Sequence, residues 1–193
     1  MKKWAMLNIV LTLLVITLGA LTRLLDAGLG CPDWPGCYGQ IIPPSSSVAI
    51  QHAEQAYPIF PVEHLQAWAE MIHRYAASLL GLSILMMMLV CLKKESLRYM
   101  RLLMGVSLFW VITQGLFGAL TVTLRIWPPV VTLHLIGGLV MLLLCYGQYH
   151  QALYRKQMEL VIHPQFQLPV MVFGGLVLLQ LILGGWTVLN TQV

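Results

Sequence analysis

The stretch "HLQAWAEMIHRYAASLLGL", residues 64–82, places three ionisable side chains in a segment that is otherwise apolar enough to cross a membrane. These side chains are Glu70, His73 and Arg74. Ionisable groups are costly inside a bilayer, and those that do occur usually face the interior of a helix bundle and mark a functional site. The stretch therefore indicates a transmembrane fold and, within it, a candidate site.

The composition of the whole chain supports this interpretation. Of the 193 residues, 59% are hydrophobic and only 9% are charged, whereas ordinary soluble domains carry about 25% charged residues. We therefore predict an integral membrane protein that has lipid as a partner. The sequence contains neither a Gly-rich phosphate loop nor a basic patch interleaved with aromatic residues, so nucleic acid is not expected as a partner.

Five apolar segments reach the roughly 20 residues that a transmembrane helix needs. Because lipid offers no partner for backbone N–H and C=O groups, each segment should be an α-helix. The fold predicted is an all-α, polytopic transmembrane bundle of about five helices, of which the first four form a four-helix bundle. The segments lie at about 4–22, 66–92, 102–124, 128–150 and 168–189.

The chain divides into two unequal parts. Residues 1–150 are expected to form a first four-helix half with a long outer loop at 26–63, and residues 151–193 a cytoplasmic connection and the first helix of an incomplete second half. Basic residues set the orientation, because cytoplasmic helix ends are enriched in Lys and Arg. Eight of the eleven fall on one side and place the N-terminus in the cytoplasm: Lys2, Lys3, Lys93, Lys94, Arg98, Arg101, Arg155 and Lys156.

The outward-running helices share an internal repeat. Gly-Ala-Leu-Thr occurs at 19–22 and again at 118–121, and Gly-Gly-Trp-Thr follows at 184–187. Small residues let helices approach closely in lipid, so a purely structural role is the simplest reading of these glycines. Each of the first two motifs precedes an inward-running helix with one embedded histidine. Because the third motif lies in the fifth segment, the same pattern predicts a sixth helix with a histidine.

His73 and His134 are the two embedded histidines, and both lie about 10 Å below the outer boundary if each residue rises about 1.5 Å. A four-helix bundle that projects one imidazole from each of two helices can hold a haem through both axial positions of its iron. The alternative is that each histidine hydrogen-bonds a neighbouring helix or lines a polar cavity. The matched depth and the repeat favour the haem site.

Glu70 precedes His73 by three residues, so the two side chains project from the same helix face. Beside a haem ligand, a carboxylate can act as a base at the haem edge or stabilise positive charge that develops there; it can also be a hydrated interfacial group. Arg74 is a candidate partner for haem propionates, because a guanidinium binds carboxylates bidentately. Arg23 and Arg125 are further cations near the outer surface, where the propionates of a haem inserted edge-on would emerge. For both, snorkelling to the interface is an equal alternative.

Two cysteines flank "PDWPG" in the outer loop. Cys31 and Cys37 lie outside the reducing cytoplasm, which makes a disulfide the preferred interpretation. A zinc site would need more ligands, and covalent haem attachment would need C-x-x-C-H, which is absent from the sequence.

Four stretches together resemble the haem A synthase family of bacterial and mitochondrial membranes. They are "LGALTRLLDAGLGCPDWPGCYG" at 18–39, "EMIHR" at 70–74, "QGLFGALTV" at 114–122 and "VVTLHL" at 130–135. Members of that family have two similar four-helix halves and oxidise a methyl group of haem O to the formyl group of haem A, for use in cytochrome oxidase.

The resemblance implies a function and a site. It implies an oxidoreductase of the bacterial inner membrane in which His73 and His134 are axial ligands of the haem iron, Glu70 acts at the methyl group and Arg74 contacts the haem. It implies haem O as substrate and haem A as product, with haem b as a further cofactor of the second half. The resemblance covers the first half and one further helix, so we expect a truncated form, or one that pairs with a second copy or with a haem O synthase.

Two other functions fit the same residues. A membrane cytochrome would carry electrons through a bis-histidine haem b without modifying it, and Glu70 would then be dispensable. A helix bundle without haem, such as a small transporter or an assembly partner, would bind no haem at all.

Overall fold

The computed structural model describes residues 1–154, 174–180 and 182–184. It contains α1 (Lys2–Leu24), α2 (Ser47–Ala56), α3 (His64–Lys93), α4 (Arg101–Thr123) and α5 (Pro128–Tyr154), with 3-10 turns at Ala27–Leu29 and Glu95–Met100. A shorter apolar helix occupies Gly174–Gly184, within the fifth predicted segment. Most of the connection expected at 151–167, the flanks of that fifth segment and the motif residue Thr187 lie outside the described residues.

In the described part of the chain, four helices are long and apolar enough to span a bilayer: α1, α3, α5 and the Glu95–Thr123 unit that contains α4. Their positions confirm the first four predicted segments and the all-α fold. The protein is a multi-pass membrane protein.

The four spans form a closed ring. α1 packs against α3 and α5, and α4 packs against the same two helices. The buried centre toward the α1 N-terminus consists of apolar side chains from all four spans, including Ala5, Ile84, Met104 and Met141. In such a ring, side chains from different helices meet at the inward-facing positions.

An exact internal correspondence relates α1 to α4. A shift of 99 residues takes Lys2 to Arg101 and Leu24 to Thr123, so both helices have 23 residues. The threonine hydroxyl of each Gly-Ala-Leu-Thr motif donates to the carbonyl of its own glycine at 2.7 Å. The chain then leaves each helix through a residue with φ 50°, Asp26 after α1 and Arg125 after α4. The repeat is therefore structural as well as sequential, and it makes α1–α3 and α4–α5 equivalent pairs.

A buried polar network joins all four spans away from the candidate site. Asn8 Nδ2 donates to Gln148 Oε1 at 3.0 Å, and Gln148 Nε2 donates to Ser107 Oγ at 2.9 Å. Ser83 Oγ donates to Asn8 Oδ1 at 2.6 Å, and Trp4 Nε1 donates to Ser83 Oγ at 2.9 Å. Asn8 and Ser107 are themselves equivalent under the 99-residue shift. The network fixes the helices relative to one another at the level of α1's first turns.

The predicted outer loop at 26–63 contains more structure than the sequence analysis expected. It includes α2, which begins after Ser46, whose side chain accepts a hydrogen bond from the Ala49 N–H at 3.2 Å. It also contains a disulfide between Cys31 and Cys37, which confirms that prediction. Both cysteines are fully buried against the outer end of α3, together with Ala67 and Met71.

Candidate functional site

His73 and His134 face the glycines of the two repeats. A Cβ placed on Gly19 would lie 3.0 Å from His73 Cε1, and one placed on Gly118 would lie 3.6 Å from His134 Cε1. Each imidazole therefore packs against a helix surface that lacks a side chain. The arrangement is the same in the α1–α3 and α4–α5 pairs.

The two imidazoles differ in their second contacts. His73 Nδ1 lies 3.1 Å from the Val15 carbonyl oxygen on α1. If Nδ1 carries the proton, this contact orients the ring and leaves Nε2 as the free lone pair, which is the usual arrangement of a metal-ligating histidine. His134 Nδ1 is buried and has no hydrogen-bond partner in the part of the chain that the structure describes.

Glu70 is buried at the outer end of α3 and is bound on both carboxylate oxygens. Its Oε2 accepts the backbone N–H of Cys31 at 2.9 Å, and its Oε1 lies 2.5 Å from Arg74 Nη2. A carboxylate held by a fixed N–H and a guanidinium has a defined position and a counter-charge. The sequence analysis predicted the residue but not these partners.

Arg74 binds the disulfide-closed segment. Its Nη1 donates to the carbonyl oxygen of Asp33 at 2.9 Å, to that of Pro35 at 3.3 Å and to that of Gly36. With Nη2 on Glu70, both terminal nitrogens of the guanidinium are engaged. Its predicted role as a propionate partner stays a prediction, and it would require some of these bonds to be exchanged.

The segment between the two cysteines is fixed internally and against α3. Asp33 accepts the N–H groups of Tyr38 at 2.6 Å and Gly39 at 2.8 Å. A Cβ on Gly30 would lie 2.6 Å from the carbonyl carbon of Gln66, so only glycine allows this approach to the α3 backbone. Burial, with further contributions from nearby carboxylates, raises the pKa of Tyr38. Its protonated hydroxyl donates to the Pro61 carbonyl at 3.0 Å.

The length of α3 places this group of residues near the membrane boundary. Its 30 residues give a helix of about 45 Å, longer than a hydrocarbon core of about 30 Å. If Lys93 lies at the inner boundary, the first turns of α3 extend beyond the lipid on the outer side. On this placement Glu70 and Arg74 lie at the interface and His73 lies at or just inside it, which is shallower than the depth of about 10 Å predicted from the sequence.

Among the described residues, no group of three or more His, Cys, Asp or Glu side chains lies close enough to hold a metal ion. Two opposed histidines suit a metal that brings its own equatorial ligands, which a haem does. The structure thus describes a helical membrane protein in which two histidines each lie against a glycine of a facing helix, one of them near a carboxylate bound by a guanidinium.

Comparison with known proteins places the chain in a family. Residues 2–193 match the COX15-CtaA family, cytochrome oxidase assembly protein, and the chain belongs to that family. A protein named Heme A synthase from Shewanella oneidensis is 42% identical over 185 residues, which cover 95% of this chain and 56% of that protein. A protein of the same name from Orientia tsutsugamushi is 32% identical over 165 residues, which cover 77% of this chain and 45% of that protein.

The chain spans about half the length of these curated relatives. No solved structure matches it. The family membership confirms the resemblance drawn from the four sequence stretches.

Proposed function

We propose that the chain binds haem O between His73 and His134 and oxidises one of its methyl groups to the formyl group of haem A, as a haem A synthase-type oxidoreductase that serves cytochrome oxidase maturation. The observation that carries this proposal is the position of Glu70, a buried carboxylate bound on both oxygens and one helical turn from His73. A bundle that only carried electrons would not need such a group beside its ligand.

The residues fit a haem in three respects. Gly19 and Gly118 let each imidazole lie directly against the backbone of the facing helix, so neither ring is displaced by a side chain there. His73 is oriented by the Val15 carbonyl. His134 Nδ1 remains without a partner in the described part of the chain, and a ligand between the helices would help to fix its ring.

The protein's own residues would orient the substrate and stabilise the charge that develops on it during oxidation. When bound, the haem would supply the redox chemistry through its iron and ring, while water would provide the formyl oxygen and an external electron acceptor would take up the four electrons released. His73 and His134 would hold the haem iron. Glu70 accepts a proton, or stabilises positive charge, at the carbon being oxidised. Arg74 and the Cys31 N–H hold that carboxylate in place.

Localisation and partners follow from this function. The protein would lie in a bacterial inner membrane with its N-terminus in the cytoplasm, as the basic residues predict. The outer face then carries the disulfide, in the oxidising compartment that such a bond needs. Haem O would be the substrate, and a haem O synthase would supply it. A second copy of the chain, or a haem b, would carry away the electrons removed from the substrate.

The test is to identify the haems that the chain produces. The chain is co-expressed with a haem O synthase in cells that lack a haem A synthase, and extracted haems are identified by mass. We expect haem A or its hydroxylated precursor from the wild type, and at least a hundredfold less from Glu70→Gln, because loss of a positioned base typically costs about 10²–10⁴ in rate. Glu63→Gln, at an exposed carboxylate outside α3, is the matched control and should leave the products unchanged.

The other outcomes separate the competing functions. Bound but unmodified haem in the wild type would reduce the protein to a haem-binding bundle or a cytochrome. Products that persist at wild-type level in Glu70→Gln would remove Glu70 from the mechanism. A chain that takes up no haem would overturn the assignment of both histidines.

A further inference from the structure

The terminal nitrogen Nη2 of Arg23 is buried and has no hydrogen-bond partner among the described residues. The nearest acid along the chain, Asp26, forms no ion pair with Arg23, and every ion pair in the described part of the chain involves another arginine. The Arg23 side chain as a whole is partly exposed, but a buried donor atom without an acceptor is unfavourable, and an anionic ligand would supply that acceptor. The surroundings of this nitrogen therefore suit the binding of an anion.

The position of Arg23 points to the haem site. Arg23 follows Gly19 by four residues, so the two share one face of α1. Helical side chains lean toward the N-terminus of their helix, so the stem of Arg23 leans toward Gly19, whose missing side chain is replaced by the His73 ring. Arg23 lies directly outward of the contact between α1 and His73.

The other outer cations are not equivalent to Arg23. Both terminal nitrogens of Arg74 are bound to Glu70 and to the disulfide segment. Arg125 is exposed. The 99-residue shift places buried Val122 in α4 where α1 has Arg23. The same helix ending therefore forms without a cation, and packing alone does not explain the arginine.

We propose that Arg23 binds a propionate carboxylate of the tetrapyrrole, and so fixes which edge of the ring faces outward. This rests on the proposed haem site, which it deepens. A porphyrin of the haem type carries both propionates on one edge. A guanidinium pairs with such a carboxylate through two parallel hydrogen bonds. Because the cation stands on α1 alone, it breaks the symmetry of the two helix pairs and selects one orientation of the ring, and with it the substituent that reaches Glu70.

The test compares two ligands that differ only in their carboxylates. Purified full-length chain in detergent is titrated with ferric haem b and, separately, with its dimethyl ester, and binding is followed by the Soret absorbance. For Arg23→Gln we expect about tenfold or weaker binding of the free acid, as for loss of a hydrogen bond between charged groups, and unchanged binding of the ester. Arg23→Lys should restore part of the difference, and Arg125→Gln is the matched control that should bind both ligands like the wild type.

Three results would overturn the proposal. Equal weakening of both ligands by Arg23→Gln, with helical content preserved in circular dichroism, would make Arg23 a structural residue. Unchanged binding of both ligands would remove Arg23 from the site. A wild type that binds neither ligand would overturn the haem site itself. The readout is binding alone, so a chain that binds haem without converting it would refute the proposed oxidation and leave the role of Arg23 standing.

Discussion

The two repeat glycines differ in how much space they leave for a side chain. A Cβ on Gly19 would approach His73 Cε1 to 3.0 Å, which is closer than ordinary contacts, whereas the same atom on Gly118 would lie at a normal 3.6 Å from His134 Cε1. His73 Nδ1 also lies 3.1 Å from the Val15 carbonyl oxygen, one turn before Gly19 on the same helix. The His73 ring cannot retreat without losing that hydrogen bond.

Gly19→Ala should therefore impair the site more than Gly118→Ala. We expect Gly19→Ala to displace the His73 ring and to lower the haem bound per chain at least threefold, because losing a hydrogen bond costs about 0.5–1.5 kcal/mol. Gly118→Ala should stay close to wild type. The measurement is haem content against protein concentration after purification, with helical content as the control. Equal haem content in the two variants would show that the closer contact does not restrain His73.

Sequence reasoning found the side chains of the site but not their backbone partners. Glu70, His73 and Arg74 stand out because ionisable groups are rare in an apolar segment. The Cys31 N–H and the carbonyl groups that bind Arg74 belong to the backbone, which every residue shares, so no letter of the sequence marks them. Arg23 was visible as a cation, but only the fold shows that its terminal nitrogen is buried without a partner.

Among the elements, the buried polar network is the feature that the sequence analysis missed. Asn8, Ser83, Ser107 and Gln148 each occur singly in apolar helices, so their spacing alone does not show that they meet. The pairing depends on the ring of helices, which brings α1 and α4 to opposite sides of Gln148 on α5. In lipid, such hydrogen bonds supply part of the specificity that a hydrophobic driving force supplies in water.

Gln148→Leu should destabilise the bundle by about 1–2 kcal/mol, because it leaves the Asn8 amide and the Ser107 hydroxyl without their buried partner. The measurement is the free energy of unfolding in mixed detergent micelles titrated with dodecyl sulfate. Thr17→Val is the control, because Thr17 is exposed and bonds only within its own helix, and it should change stability by less than about 0.5 kcal/mol. A Gln148→Leu variant as stable as this control would mean that the network contributes no stability.

Helix α2 shows where element prediction fails. Its ten residues lie in a stretch that follows several prolines and serines, a composition typical of loops. The start signal was nevertheless present, since Ser46 caps the helix with its side chain. The transmembrane helices were predictable because length and hydropathy determine them almost alone.

At the scale of the whole molecule, the 99-residue correspondence between α1 and α4 accounts for the site. It makes two helix pairs that each present one imidazole against one glycine. The sequence revealed the repeat through its Gly-Ala-Leu-Thr motifs and predicted that two histidines could face each other. The sequence did not show that the correspondence extends to both ends of α1 and α4. Outside the Gly-Ala-Leu-Thr motifs the two helices have different residues, and only their length and bounds correspond.

The coordination of a bound haem tests the central claim most directly. Purified chain is loaded with ferric haem b, and its spin and coordination state are read from the absorption and electron paramagnetic resonance spectra. We predict a six-coordinate, low-spin haem in the wild type and in the control His64→Ala, whose histidine is exposed at the start of α3. His73→Ala and His134→Ala should each lose one axial ligand and become high-spin. An unchanged low-spin spectrum in either variant would contradict the assignment of that histidine as a ligand, and with it the account of the site.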